Sequence, residues 1–218
     1  MRNIMITLLS VLGVLTVSAQ EKVDKSMSID AAINACIALR DAVAANDSAA
    51  IKQSAEDLKA ASTTNFNSLR CKDESLTVLE GDHVVFDEDY AEAKAEGREP
   101  FPKAGASPSG SHRGQTAGGS ILTKTCYVKA GKSTKYSFAS KGHQELAVVA
   151  EAGGLVTMKI HVTNTAGLDL RFDDTKNVKK GMPQRKTSFE LPTDRRNTVE
   201  LEIVNCGTKD CSFVVISN

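Results

Sequence analysis

The stretch Val199–Ile203 reads VELEI and alternates strictly between apolar and acidic residues. Because successive side chains of a strand point to opposite faces of a sheet, this alternation predicts a β-strand with one buried and one solvated face. Seven more apolar runs, separated by turn-forming residues, occur between residues 120 and 218. The eight predicted strands are Ile121–Lys129, Thr134–Ser140, Glu145–Ala150, Leu155–Thr163, Leu168–Asp173, Thr187–Leu191, Thr198–Val204 and Ser212–Ser217. Short strands at this spacing predict an antiparallel sandwich or barrel.

Three segments of this region share a further pattern. They are Tyr127–Phe138, Gly167–Phe172, and the ending made of Val199–Asn205 and Phe213–Asn218. Together they resemble the bacterial pre-peptidase C-terminal (PPC) β-sandwich family over residues 121–218, through patterns of strands rather than catalytic signatures. The resemblance implies a jelly-roll-like sandwich of a kind that is usually non-catalytic and appended to secreted enzymes. No enzyme domain accompanies the sandwich in this sequence, which argues against a protease-accessory role.

The region before the sandwich predicts helices, so the expected fold class is α+β. Apolar residues recur at helical spacing from Ile29 to Val43 and again from Ile51 to Ala61, with Ser28 and Asp47 placed as N-caps. The short break at Ala45–Ser48 predicts an antiparallel helical hairpin. Two helices bury too little apolar surface to be stable alone, so the hairpin must pack on the rest of the chain or on a partner.

The segment between hairpin and sandwich divides into three parts. Residues 76–86 predict a short β-hairpin that turns at Glu80–Asp82. The acidic group Asp87–Asp89 is placed to cap a short helix, Tyr90–Glu96. Residues 98–119 are rich in Pro, Gly and Ser, which predicts a linker or mobile loop. The chain therefore divides into a mainly helical N-terminal domain at 20–97, this linker, and a β-sandwich domain at 120–218.

Residues 1–19 have the layout of a secretory signal peptide, with Arg2, an apolar run from Ile4 to Val17 and a small-residue cleavage site before Gln20. The alternative is a retained membrane anchor, but the run is short for a bilayer core of about 30 Å. No cysteine lies at or directly after the cleavage site, the first being Cys36, so a lipid-anchored form is not expected. No later stretch predicts a membrane span. We expect a secreted or periplasmic protein.

The charge balance of the exported chain argues against nucleic acid as a partner. Cleavage removes only Arg2, so 27 basic residues become 26 against 27 acidic ones, without the basic excess of nucleic-acid proteins. The chain has no Trp and 5% aromatic residues, which weakens, without excluding, a glycan-binding interpretation.

Five cysteines remain after cleavage, and an oxidising compartment favours pairing. Cys206 and Cys211 flank the turn-forming run Gly207–Asp210, so a hairpin there would bring them within disulfide reach. A metal site is the alternative, although no His lies nearby. Of the other three cysteines, Cys36 and Cys71 are one choice for a second bridge.

No catalytic motif is recognisable, and none of the four histidines occurs at metal-ligand spacing. Asp169, Asp173 and Asp174 would supply hard oxygen ligands for Ca²⁺ beside a strand, with a solvated strand end as the alternative. Lys179, Lys180, Arg185 and Lys186 form a basic stretch that would bind an acidic glycan or protein, with a solvated loop as the alternative. No other cofactor is expected.

The predicted function is a secreted, non-catalytic binding or assembly protein that recognises an envelope protein or polysaccharide. The alternatives are a secreted hydrolase with its site between the two domains and a propeptide-like inhibitor or chaperone. An enzyme predicts a deep pocket in which titratable side chains converge, or a histidine–carboxylate pair in a cleft. A binding module predicts a flat or grooved surface with an exposed apolar patch.

Overall fold

A computed structural model of the chain describes residues 29–72, 83–98, 121–173 and 181–218. The helices are α1 (Ile29–Ala45), α2 (Ser48–Ala60) and α3 (Glu88–Ala95). The strands are β1 (Thr64–Asn65), β2 (Arg70–Cys71), β3 (Leu122–Val128), β4 (Ser133–Ser140), β5 (Gly142–Ala150), β6 (Val156–Thr163), β7 (Asp169–Asp173), β8 (Gln184–Leu191), β9 (Asn197–Asn205) and β10 (Cys211–Ser217). All eight strands predicted after residue 120 are present as β3 to β10, with ends within three residues of the predicted ones.

The strands form two five-stranded sheets in a sandwich-like arrangement, and the fold class is α+β. The first sheet has the order β1-β3-β10-β5-β8, and we call it the covered sheet. The second has the order β2-β4-β9-β6-β7, and we call it the open sheet. The pairing is antiparallel throughout except between β1 and β3, which run parallel.

One hydrophobic core fills the space between the two sheets. The open sheet supplies Val199, Leu201 and Ile203 from β9, and the covered sheet supplies Phe213 and Val215 from β10. These are the alternate positions that the VELEI pattern assigns to a buried face. The sandwich therefore forms for the reason that the sequence predicts.

A second core lies on the other side of the covered sheet, where the helices pack. Val214 and Ile216 of β10 and Ala147 and Val149 of β5 are buried there with apolar residues of α1 and α2. Helices α1 and α2 are joined by Asn46 and Asp47 and also contact each other. The helices thus pack on the rest of the chain, as their small size requires.

The predicted division at residue 97 is not where the sandwich begins. Strands β1 and β2 come from the first half of the chain, yet β1 pairs with β3 and β2 pairs with β4. Between them, Phe66 and Leu69 are buried in the core between the sheets, and the ring of Phe66 lies 5.0 Å from that of Phe138. Two-residue strands are too short to show alternation, so the sequence predicted only the end of a helix here.

Two predicted helix caps are confirmed. Asp47 accepts hydrogen bonds from the backbone N–H groups of Ala49 and Ala50, and Asp87 accepts one from Tyr90. The signal peptide, Ser28, most of the predicted β-hairpin at 76–86 and nearly all of the linker lie outside the described residues. None of the described helices is both long enough and apolar enough to cross a bilayer.

Candidate functional site

The outer face of the open sheet carries a groove of about 280 Å³. Basic side chains from three strands and from the residue that follows β2 line it, and so do carboxylates from β7 and β9. The basic residues are Lys72, Lys135, Lys159 and Arg171, and the acidic ones are Asp173, Glu200 and Glu202. His161 lies among them on β6, next to the centre of the sheet. We call this surface the charged groove.

The strand register explains why these charges meet. Glu202 on β9 lies opposite Lys135 on β4 and opposite Lys159 on β6. One pair of residues further along, Glu200 lies opposite His161, which lies opposite Arg171 on β7. Neighbouring strands are about 4.8 Å apart, so side chains in one row are within reach of each other. Two rows of charged side chains therefore cross the sheet.

Ion pairs hold the middle of the charged groove in place. His161 places Nε2 3.0 Å from Oδ1 of Asp169 and Nδ1 3.7 Å from Oε2 of Glu200. Arg171 donates to both oxygens of Asp169, at 3.0 and 3.2 Å, and Lys72 pairs with Glu200. The hydrogen bond from Arg171 lowers the pKa of Asp169, and the one from Lys72 lowers the pKa of Glu200. Both carboxylates therefore stay ionised and act as hydrogen-bond acceptors.

This arrangement suits binding better than proton transfer. Both ring nitrogens of His161 face carboxylates, which leaves neither directed at a substrate atom. A general acid must hold its proton near the working pH, and the lowered pKa values take Asp169 and Glu200 away from that range. The groove is also open to water, since 72% of the Arg171 side chain is exposed.

The predicted calcium ligands lie at the margin of the charged groove. Asp169 and Asp173 share the outer face of β7, as their spacing predicts, because they lie opposite Thr163 and Lys159. Asp169 is engaged by Arg171 and His161, and Asp174 lies outside the described residues. Within the described ranges, no three His, Cys, Asp or Glu side chains are grouped to hold a metal ion. Calcium binding stays a prediction.

The predicted basic stretch is divided by the pleat of β8. Arg185 lies opposite Val148, which faces the core between the sheets, whereas Lys186 lies opposite Ala147, which faces the helices. Lys186 Nζ pairs with Asp30 of α1 at 2.7 Å and with Glu145 at 3.2 Å. Arg185 and Lys186 therefore do not share one binding surface, and Lys179 and Lys180 lie outside the described residues.

All five cysteines lie within the described residues, and none forms a disulfide. The prediction of a Cys206–Cys211 bridge assumed a hairpin, but β9 belongs to the open sheet and β10 to the covered sheet. Cys206 is exposed, whereas Cys211 is buried and its thiol contacts the carbonyl oxygen of Ser212 at 3.0 Å. Cys36 and Cys71 lie in different cores. Burial raises the pKa of Cys36, Cys126 and Cys211 to about 12.

A second polar cluster surrounds Glu151, directly after β5. Its carboxylate lies 2.9 Å from Nδ1 of His83, accepts from the backbone N–H groups of Val84 and Ser212, and lies 2.9 Å from the Ser212 hydroxyl. Ser, His and Glu are the residue types of a catalytic triad, but here the glutamate contacts both other groups, whereas the histidine would have to lie between them. Ser212 is also completely buried. We therefore assign Glu151 a structural role, fixing residues 83–86 to the covered sheet.

Among the residues that line the charged groove, only Asp173 was predicted as a site residue, as a calcium ligand. In the sequence, the groove residues of β4, β6 and β9 are recognisable as charged residues at the outward positions of these strands. Finding the groove needs the order of the strands in the sheet, because its residues are spread from Lys72 to Glu202.

Comparisons with known proteins assign no family. No family model matches the chain, so the PPC resemblance stays a prediction, and no curated protein matches it either. Among solved structures, the Yersinia pseudotuberculosis-derived mitogen is similar over 45% of this chain and 84% of its own, at 11% identity and a TM-score of 0.31. TmCBM61, in complex with β-1,4-galactotriose, matches 45% of this chain and 81% of its own, at 9% identity and a TM-score of 0.28. A mutant of a periplasmic inhibitor of g-type lysozyme from Escherichia coli matches 45% and 86%, at 15% identity and a TM-score of 0.27. These similarities are too weak to assign a function.

Proposed function

We propose that this chain is an exported, non-catalytic binding protein that recognises an envelope polysaccharide or protein through the charged groove. The observation that carries the proposal is the set of mutually paired polar side chains at Asp169, His161, Arg171 and Glu200 in an open groove. Polar groups that are ordered before the ligand arrives lose less conformational freedom on binding. The layout of residues 1–19 supports export to the periplasm or beyond.

The composition of the groove favours a polysaccharide over a protein. The buried centre of a protein interface is depleted of charge and rich in large apolar side chains. The charged groove, by contrast, is rich in charged side chains. Among the described residues, the large apolar side chains that are exposed are Leu170, Phe172 and Met182. Carboxylates and guanidinium groups instead match the hydroxyl groups of a sugar as acceptors and donors.

The strand order also supports the finer parts of the predicted fold. Neglecting β1 and β2, the sheets have the orders β3-β10-β5-β8 and β4-β9-β6-β7, which supports a jelly-roll-like sandwich. The two-residue turn between α1 and α2 supports an antiparallel hairpin. With these helices on the covered sheet, the outer face of the open sheet is left for a ligand.

Affinity electrophoresis of the exported protein in gels that contain envelope polysaccharide fractions tests this proposal. We expect retardation that weakens at least about fivefold in Arg171→Gln and in Glu200→Gln, because each variant loses a charge-assisted hydrogen bond. Glu92→Gln on the exposed side of α3 is the matched control and should bind like the wild type. The proposal fails if no fraction retards the protein, or if the groove variants are retarded as strongly as the control.

A hydrolase is the second candidate, because His161 between Asp169 and Glu200 is a histidine–carboxylate arrangement in a groove. This histidine lies on the outer face of the open sheet. The sequence analysis expected a hydrolase site between the helices and the sandwich, where apolar side chains fill the space. Release of reducing ends from the same fractions separates the two functions. Turnover by the wild type that His161→Gln abolishes would replace the binding proposal with this one.

A further inference from the structure

We infer that the ligand of the charged groove is a polysaccharide that bears carboxylate groups, bound across the strands with a carboxylate at Lys135. This inference rests on the proposed function and names the chemical class of its ligand. Three features of the groove carry it: a cationic end at Lys135, a polar middle, and an exposed guanidinium group on the edge strand β7.

The cationic end lies on β4 beside the chain that follows β2. Lys72 donates its backbone N–H to the carbonyl oxygen of Lys135 at 2.8 Å, so the two lysines are neighbours in the same row. Lys72 is engaged by Glu200, and Lys159 lies 3.8 Å from Glu202. Lys135 is exposed and has no ion-pair partner among the residues that the structure describes. It is therefore the cation of the groove that remains available for an anionic group.

The polar middle requires a ligand that donates hydrogen bonds as well as carrying charge. Glu200 and Glu202 lie between Lys135 and the strands β6 and β7, and the pKa of Glu200 is lowered by Lys72. An ionised carboxylate only accepts hydrogen bonds. A polymer with anionic groups alone would place them against these carboxylates, whereas sugar hydroxyl groups donate to them.

The far end of the groove lies on the edge strand β7, where Arg171 is on the outer face and its side chain is 72% exposed. Phe172 lies opposite the buried Ile160, so the pleat directs its ring to the other face of β7. From β4 to β7 the sheet spans three strand spacings, about 14 Å, so a ligand that touches both Lys135 and Arg171 is longer than one sugar ring.

Polygalacturonate and its fully methyl-esterified form are matched probes, because they share a backbone and differ in charge. Isothermal titration calorimetry should show at least about tenfold tighter binding of the acid form in low salt. Lys135→Gln should remove most of that preference, and Arg171→Gln should weaken the binding of both forms, because it loses charge-assisted hydrogen bonds. Lys52→Gln, at an exposed lysine of α2 without an ion pair among the described residues, is the matched control and should change neither.

The outcomes separate this inference from the proposed function. Equal binding of the two forms, weakened by Arg171→Gln, overturns the inference and leaves a groove that binds neutral sugars. Equal binding of polyglutamate and polygalacturonate also overturns it, since charge alone would then suffice. A preference for the acid form that Lys135→Gln leaves intact places the anion elsewhere and overturns the assignment of Lys135. If neither polymer binds, the inference fails, and the electrophoresis with envelope fractions decides the proposed function separately.

Discussion

The two central strands, β9 of the open sheet and β10 of the covered sheet, differ in the residues on their outer faces. In β9 buried and partly exposed residues alternate along nearly the whole strand, whereas every residue of β10 is buried. The outward positions of β9 hold Glu200 and Glu202, and those of β10 hold Val214 and Ile216. Both strands use their other face for the same core. The residue type at the outward positions therefore decides which sheet is covered by helices and which remains open for a ligand.

Truncation of an outward residue in each strand should give the largest difference. Ile216→Ala removes a side chain that is fully buried against the helices, and the lost apolar contact and the remaining cavity should cost about 2–5 kcal/mol of unfolding free energy. Glu202→Ala removes an outward residue of β9 with a partly exposed ion pair and should cost less than about 1 kcal/mol. Urea unfolding of both variants measures these free energies. Similar losses would mean that the outer faces do not differ as the structure shows.

The same comparison explains how much of the fold the sequence could predict. Strands such as Val199–Ile203 were predictable because alternation and turn residues are local signals. The covering of one sheet was predictable only in part, from the continuous apolar run Phe213–Ile216. Strands β1 and β2 were missed because their pairing, not their two residues, makes them strands.

The candidate sites depend on two features that local sequence does not contain, which are the sheet that a strand joins and the face on which a residue lies. The Cys206–Cys211 prediction treated adjacent strands as a hairpin, but the chain crosses from one sheet to the other between them. The basic stretch was treated as one surface, although the pleat points Arg185 and Lys186 to opposite faces. The charged groove needs Lys135, Glu202 and Lys159 side by side, and no local pattern contains the order of strands.

The Glu151 cluster attaches residues 83–86 to the ends of β5 and β10 in the covered sheet. Glu151→Gln keeps the size of the side chain but removes the charge that faces His83 and two backbone N–H groups, so it should cost about 1–3 kcal/mol. It should also increase proteolytic cleavage near residues 83–86. Glu92→Gln, an exposed glutamate of α3, should change neither quantity. A loss of stability without faster cleavage near His83 would argue against the role assigned to Glu151.

The ion pair between α1 and β8 should contribute less. Lys186→Gln should lower the unfolding free energy by at most about 1 kcal/mol, because the pair is partly exposed and screened by salt. The hydrogen bond to Asp30 raises the pKa of Lys186 above its ordinary value. The contribution is therefore complete below the unfolded-state pKa of lysine, about 10.4, and is lost as the pH rises through the higher folded-state pKa. Unfolding of the variant and the wild type at a series of pH values from 7 upward checks this sign, because their difference should narrow as the pH rises through that folded-state pKa. A difference that does not narrow would mean that packing, not charge, holds this contact.

The smallest effect on stability is expected on the open sheet, where the charged side chains are exposed. Glu200→Gln should change the unfolding free energy at pH 7 by about 0.5 kcal/mol or less, since the pair with Lys72 is exposed. The lowered pKa of Glu200 fixes the sign of its pH dependence. Its contribution is complete above the unfolded-state pKa of glutamate, about 4.3, and is lost as the pH falls through the lower folded-state pKa. Wild type and variant should therefore differ slightly at pH 7 and converge below pH 4, while ligand binding at pH 7 differs much more. A stability loss at Glu200 as large as that at Ile216 would show that the charged groove is part of the framework and would remove the main reason for treating it as a binding surface.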